Sequence, residues 1–191
     1  GFLGGYLLRD LLTATDQPIV CLIRAKSTNS ASERLVATLE NLGWHGLVPA
    51  DRIRPICGTL DQPRFGLSSN HFKDLSTQIS QIIHNGANVN FVAPYSTLHQ
   101  VNVTSNLDIL RLATSGSCKR IHYISTIGVF NGPDRDCFDP IHEHDWISSP
   151  DQLFSGYSQS KWVAESLYRR ALELGHPIRT YRPGLVMGDS R

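Results

Sequence analysis

The chain has 191 residues, 40% hydrophobic and 18% charged, and its 18 Lys and Arg against 17 Asp and Glu leave a net charge of +1. That length suffices for one domain with its own core, and so even a balance excludes nucleic-acid or membrane-surface binding driven by net charge. No apolar run approaches membrane-spanning length and no leader pattern is visible, so a cytoplasmic protein is expected.

The elements follow in chain order. Gly1-Phe2-Leu3-Gly4-Gly5 runs into a helical pattern through Leu12. Glycines three apart at a helix start let a phosphate approach the free N–H groups and the helix dipole, although a simple glycine cap reads equally well. Pro18 to Arg24 is a continuous apolar run suited to a strand buried on both faces. It ends in Arg24 and Lys26 with no acid. A basic strand end accommodates the 2′-phosphate of NADP, whereas an acid would bind the free ribose of NAD; a solvated strand end is the plain alternative. Ser32 to Leu42 reads as a helix with Leu35, Val36, Leu39 and Leu42 inward, Gly43 as its stop, and Arg34 on the other side within reach of a phosphate. Residues 52–58 form a short strand, followed by Thr59 and Leu60 where an adenine would lie.

Residues 78–84 read as the next strand, leading into the small-residue turn Asn85-Gly86-Ala87, where a cofactor could come close. Pro94 opens a helix to about Ala113, and His84 is taken as a packed strand-end histidine. Asn102-Val103-Thr104 matches a glycosylation sequon but falls inside that helix, so it is set aside. Residues 120–124 form a strand ending in Ser125-Thr126, hydroxyls at the strand end where doubly wound sheets bind ligands. Residues 131–155 read as a polar loop, and its His142-Glu143-His144-Asp145 lacks metal-ligand spacing, so no metal site is expected. Tyr157 and Lys161 then stand four apart on one helix face, with Val163, Leu167, Ala171 and Leu174 as the buried stripe. An ammonium beside a phenol favours the phenolate and would lower the Tyr157 pKa. Residues 178–182 are a further strand before Pro183-Gly184. Cys21, Cys57, Cys118 and Cys137 are widely spaced, and free, largely buried thiols are expected. Strands and helices alternate throughout, which predicts an α/β fold with a parallel sheet and right-handed crossovers.

The order of these motifs along one chain resembles the extended short-chain dehydrogenase/reductase superfamily. More narrowly, the sequence is similar to the thioester reductase domains that end many nonribosomal peptide synthetases, polyketide synthases, aminoadipate reductases and carboxylic acid reductases. The resemblance rests on Gly1-Phe2-Leu3-Gly4, His84 to Asn90, Tyr157 to Glu165 with Trp162 after Lys161, and Tyr181-Arg182-Pro183-Gly184, and it covers essentially all 191 residues. It implies a single Rossmann-type, doubly wound NADP-binding domain over 1–191, cut from a longer protein and lacking the first strand and the C-terminal substrate region; such a piece is expected to be poorly stable alone. It implies NADPH held by Gly1, Phe2, Leu3 and Gly4 at the pyrophosphate, by Arg24 and Arg34 at the 2′-phosphate, and by Thr59 and Leu60 near the adenine. Asn85, Gly86, Ala87 and Pro183 would line the nicotinamide end. It implies a catalytic Thr126, Tyr157 and Lys161. The implied partner is a phosphopantetheinyl carrier protein bearing an acyl or peptidyl thioester, released as an aldehyde or further as an alcohol. One departure stands out, because Gly58-Thr59-Leu60 replaces the usual Gly-Asp-Leu at the adenine. Two other readings stay open: an extended reductase of a free ketone, aldehyde or acyl-CoA, and a non-catalytic NADP sensor. The chain's retention of both Tyr157 and Lys161 argues against the sensor.

Overall fold

The computed structural model describes residues 1–44, 51–133 and 139–188. They form two compact units, Gly1–Thr59 and Leu60–Arg191.

The first unit runs α1 (Phe2–Ala14), β1 (Ile19–Ile23), α2 (Thr28–Glu40) and β2 (Ile53–Cys57). β1 and β2 are parallel, with Ile19 opposite Ile53 and Ile23 opposite Cys57. Leu8 and Leu12 of α1, Leu39 of α2 and Ile53 form the core, with Ile19, Cys21, Leu35 and Trp44 against it. Both helices therefore cover one face of the strands. Leu22, on the other face, is 37% exposed, so β1 is not buried on both faces within this unit as its composition suggested. α2 begins four residues earlier than its apolar pattern, because Ser27 and Ser30 form a reciprocal capping box ahead of it. Val36 is exposed rather than inward. Gly5 allows α1 to approach α2: a Cβ there would lie 2.5 Å from Leu42 Cδ1.

The second unit runs α3 (Ser69–Gln78), β3 (Gln81–His84), α4 (Tyr95–His99), a π turn (Gln100–Thr104), α5 (Ser105–Thr114), β4 (Arg120–Ile124), α6 (Gly156–Glu173) and β5 (Ile178–Tyr181). Its three strands are parallel in the order β3-β4-β5. α3 was not anticipated, since its polar residues mask the buried Phe72 and Leu75, and residues 78–80 are consequently not strand. Pro94 caps α4 instead of occupying its first turn, and the long helix expected from Pro94 onward is interrupted by the π turn. Before α3, Arg64 and Phe65 both take left-handed backbone angles, with φ 52° and 62°. Asp108 Oδ2 accepts from Arg64 N at 2.8 Å and holds that turn, while Phe65 packs on Phe72.

The core of this unit is polar-edged. Tyr123 and Tyr168 are buried with ring centroids 4.3 Å apart, and Tyr168 Oη donates to Asn106 Oδ1 at 2.7 Å. The buried face of α6 consists of Tyr157, Ser158, Ser160, Lys161, Ala164, Glu165, Tyr168 and Ala171. Val163 and Leu167 are only half-buried and Leu174 is exposed, so the expected stripe is rotated towards the residues that carry chemistry. The cysteines are less buried than expected: Cys21 and Cys57 are half-buried and Cys118, in the turn after α5, is exposed, while Cys137 lies outside the described residues. Among the described residues no helix is long and apolar enough to cross a membrane.

Candidate functional site

In the second unit the end of β4 meets the start of α6. Thr126 caps a 3-10 turn, Ile127–Phe130, and its Oγ1 accepts from Gly128 N at 3.1 Å, which leaves the hydroxyl hydrogen available to a ligand. A Cβ on Gly128 would lie 3.1 Å from Ser158 Oγ and 3.3 Å from Thr126 Oγ1, so this turn presses on the first turn of α6. Ser155 Oγ caps α6 by accepting from Ser158 N. Lys161 Nζ donates to Ile124 O at 2.7 Å and lies 4.2 Å from the Tyr123 ring centroid. An ammonium has three hydrogens, so two remain beyond that carbonyl bond. Tyr157, 8% exposed, is met edge-on by the exposed Phe91 with centroids 5.3 Å apart.

The electrostatics differ from the expected phenolate. Burial raises the Tyr157 pKa. Burial also brings Lys161 down to about 7, partly opposed by the charge of Glu165. With its ammonium drawn to the Ile124 carbonyl, Lys161 does not offset the desolvation of Tyr157. His84 stacks on Tyr123 and is driven to about 3, first by burial and then by Lys161, against a hydrogen bond with Asn106. It is therefore a neutral packed histidine at neutral pH. Among the described residues the buried Tyr123 hydroxyl has no hydrogen-bond partner.

Asn85, Gly86 and Ala87 follow β3 as a loop. A Cβ on Gly86 would lie 2.6 Å from Leu60 Cδ1, so the glycine makes room for that leucine as well as for any ligand. Asn102, set aside above as a sequon, brackets this loop. Its side chain accepts from Asn88 N at 2.7 Å, donates to Asn88 O at 3.0 Å, and donates to Ser160 Oγ of α6 at 2.9 Å. Pro183 O accepts from Ile127 N at 2.9 Å, which places Pro183 beside the Thr126 turn. Trp162 stacks on Trp146 and donates to Ile147 O, fixing the preceding loop along α6. Ser125, the other strand-end hydroxyl, and Glu165 are both buried and joined to each other. His142 to Asp145 is an exposed turn, closed by His142 N donating to Asp145 Oδ2. Among the described residues no three His, Cys, Asp or Glu side chains are grouped to hold a metal ion.

In the first unit Gly1 caps α1, and Gly5 N is the amide that bonds back to Gly1 O. The amides of Phe2, Leu3 and Gly4 thus belong to the unpaired first turn of a 13-residue helix, and that turn holds no acidic residue. Arg34 Nη1 donates to Arg24 O at 2.8 Å, which brings two exposed guanidinium-bearing residues to the carboxyl end of β1. Thr59 follows β2 and is half-buried. Within the first unit, the free helix amides and the neighbouring arginines are donors that fit the phosphates of a nicotinamide dinucleotide, and within the second unit Lys161 keeps two donors that fit a ribose.

A family model described as Male sterility protein, of an NAD-binding type, matches residues 1–191. The chain is 43% identical over 190 residues to a linear gramicidin synthase subunit from Brevibacillus parabrevis, covering all of this chain and 4% of that protein. It is 36% identical over 205 residues to the L-2-aminoadipate reductase large subunit of Penicillium chrysogenum, again covering all of this chain, and 14% of that protein. The crystal structure of the terminal R domain from the myxalamid PKS-NRPS biosynthetic pathway superposes with a TM-score of 0.94 at 42% identity, covering all of this chain and 48% of that one. The chain therefore spans about half of that solved domain and a small part of the curated relatives.

Proposed function

This chain belongs to the NAD-binding family described as Male sterility protein, and from that premise we propose that it is the cofactor-binding part of a reductase that releases acyl or peptidyl groups from a carrier protein. The substrate is a phosphopantetheine thioester, and the product is an aldehyde with a free thiol, or an alcohol after a second round. The relatives named above, a gramicidin synthase subunit and an aminoadipate reductase, support this chemistry. So does the parallel α/β architecture shared with a terminal R domain.

NADPH, when bound, supplies the hydride. The amides of Phe2, Leu3 and Gly4, with Gly1, hold its pyrophosphate, and Arg24 and Arg34 hold its 2′-phosphate. Thr59 and Leu60 border the adenine. Asn85, Gly86, Ala87 and Pro183 border the nicotinamide end. Thr126 and Tyr157 donate hydrogen bonds to the thioester oxygen as negative charge develops on it, the interaction that contributes most in reactions of this type. Tyr157 then gives its proton to that oxygen, and the hemithioacetal collapses with loss of the thiol. Its raised pKa suits this role, since the phenol stays protonated until the oxyanion forms. Lys161 holds the ribose with the donors not committed to Ile124.

The observation that carries this reading is the burial of Tyr157 and Lys161 on one face of α6, with the Lys161 ammonium on the carbonyl of Ile124, two residues before Thr126. The test is to offer the intact protein an acyl-pantetheine thioester with NADPH or with NADH and to identify the product. NADPH-dependent aldehyde or alcohol with free thiol is expected. Turnover of a free ketone or aldehyde without thioester reduction would refute the thioester assignment, and NADPH binding with no turnover of any carbonyl would refute the enzyme.

A further inference from the structure

Glu165 is 1% exposed and lies one helical turn beyond Lys161 on α6. Its two carboxylate oxygens serve different parts of the fold. Oε2 accepts from Ser125 Oγ at 2.7 Å. Oε1 accepts from Arg182 Nε at 2.9 Å and also from Arg182 Nη2. Arg182 continues through Nη1 to Glu143 O at 3.2 Å and lies 4.9 Å from the Phe130 ring centroid. One carboxylate thus bonds the residue before Thr126 and the residue before Pro183, from the helix that carries Tyr157 and Lys161.

A buried carboxylate costs several kcal/mol in lost hydration unless charge and hydrogen bonds compensate it. Arg182 does so here, with two of its nitrogens on one oxygen. A neutral side chain could tie α6 to β4 without that cost, so the charge calls for a reason of its own. Lys161 supplies one, because Glu165 is the acid whose field opposes the effect of burial on the ammonium. Among the described residues, the groups gathered around Lys161 and Glu165 are Tyr157 and Tyr168 of α6, Tyr123 of β4, His84 of β3 and, on the far side of Glu165, Arg182 after β5. The three phenols are raised by burial and His84 is neutral above about pH 3, so none of these four brings a charge to Lys161 at neutral pH.

Resting on the reading of Thr126, Tyr157 and Lys161 given above, we propose that Glu165 is a positioning residue for this site. Through Ser125 and Arg182 it sets the end of β4 against α6, and its negative charge faces the Lys161 ammonium. Geometry and charge are separable by substitution. Glu165→Gln keeps size and one acceptor but removes the charge. Glu165→Asp keeps the charge and shortens the reach. Ser125→Ala removes one tie and leaves the charge.

The experiment measures kcat of the intact protein with an acyl-pantetheine thioester and saturating NADPH from about pH 6 to 9. In Glu165→Gln the basic limb, where Lys161 loses its proton, moves down by about one unit and kcat at pH 8 falls roughly tenfold. In Glu165→Asp and Ser125→Ala kcat falls several-fold while the limb stays at the wild-type position. A Glu165→Gln protein with the wild-type limb, or with kcat within twofold of wild type, overturns the proposal. Should Glu165→Gln fail to fold, kcat within twofold in both other variants overturns it equally. Tyr157→Phe keeps the two readings apart: full turnover there refutes the Thr126-Tyr157-Lys161 assignment, whereas an inactive Tyr157→Phe beside an unperturbed Glu165→Gln refutes Glu165 alone.

Discussion

Gly156 opens α6 against the segment that leads into α4, and replacing it with alanine tests how tightly that junction is set. A Cβ there would lie 2.4 Å from Tyr95 N, 2.6 Å from Ala93 O and 2.6 Å from Pro94 C. All three are backbone atoms that cannot swing aside. Ordinary contact begins at 3.4 Å, so either α6 or the 93–95 segment must move by 3.4 − 2.4 = 1.0 Å. Overpacking of this kind costs about 1–3 kcal/mol, and the helix preference of alanine over glycine returns at most about 1 kcal/mol. A net loss of about 2 kcal/mol, with a urea slope of about 2 kcal/mol per molar, lowers the unfolding midpoint by roughly 1 M. Gly184→Ala serves as the control, since nothing lies within 4 Å of its Cβ. The same shift displaces Tyr157, the next residue, and a misplacement of ~1 Å at a reacting group costs on the order of 100-fold in kcat. Urea denaturation and thioester reduction by the intact Gly156→Ala protein check both numbers. A midpoint equal to or above wild type would refute the close approach and the argument built on it.

Tyr157→Phe keeps NADPH binding, measured by fluorescence titration, and lowers kcat by about 100-fold or more; near-normal turnover would remove Tyr157 from the chemistry. Arg24→Ala weakens NADPH by about tenfold and leaves NADH nearly unchanged, read from the ratio of the two KM values, and equal losses would argue against 2′-phosphate recognition. His84 has a folded pKa near 3 against an ordinary 6.5, so between those values the unfolded chain binds a proton that the folded chain refuses. Its contribution to stability is whole above pH 6.5 and declines as the pH falls towards 3, with a slope of up to about 1.4 kcal/mol per unit. His84→Gln should flatten that slope in denaturation series from pH 4 to 7, and parallel curves would show that His84 does not supply it.

The sequence carried the alternation of strands and helices well, because runs such as Ile19–Ile23 and Arg120–Ile124 are local and bounded by turn residues. It misplaced the buried face of α6. Val163, Leu167 and Leu174 looked inward by hydrophobicity, but Lys161, Ser160 and Glu165 are the buried ones, each matched to a partner 17 to 58 residues away. Periodicity has no means of seeing such partners, since they exist only once the chain has folded. The same holds for Asn102, whose helical position looked incidental until its contacts with Asn88 and Ser160 were known. Spacing singled out Tyr157 and Lys161 and the resemblance added Thr126, whereas the protonation state of the pair could not be read from the sequence. Desolvation depends on what surrounds Tyr157 and Lys161, and Ile124 and Tyr123 enter only through the fold.

The π turn at Gln100–Thr104 carries one residue more than an α-helical turn would, and Asn102 lies in it. Deleting a single residue there would restore an unbroken α-helix and rotate everything on one side of the cut by about 100°. Asn102 would then face away from Asn88 or from Ser160, and the loop after β3 would lose its tie to α6. The segment can therefore drift by substitution at an outward position such as Leu107, which is 40% exposed, but its length is fixed. In a comparison of descendants of this chain, insertions and deletions should gather in surface connections and be missing from this helix, where a one-residue change in count would act like the loss of a site residue.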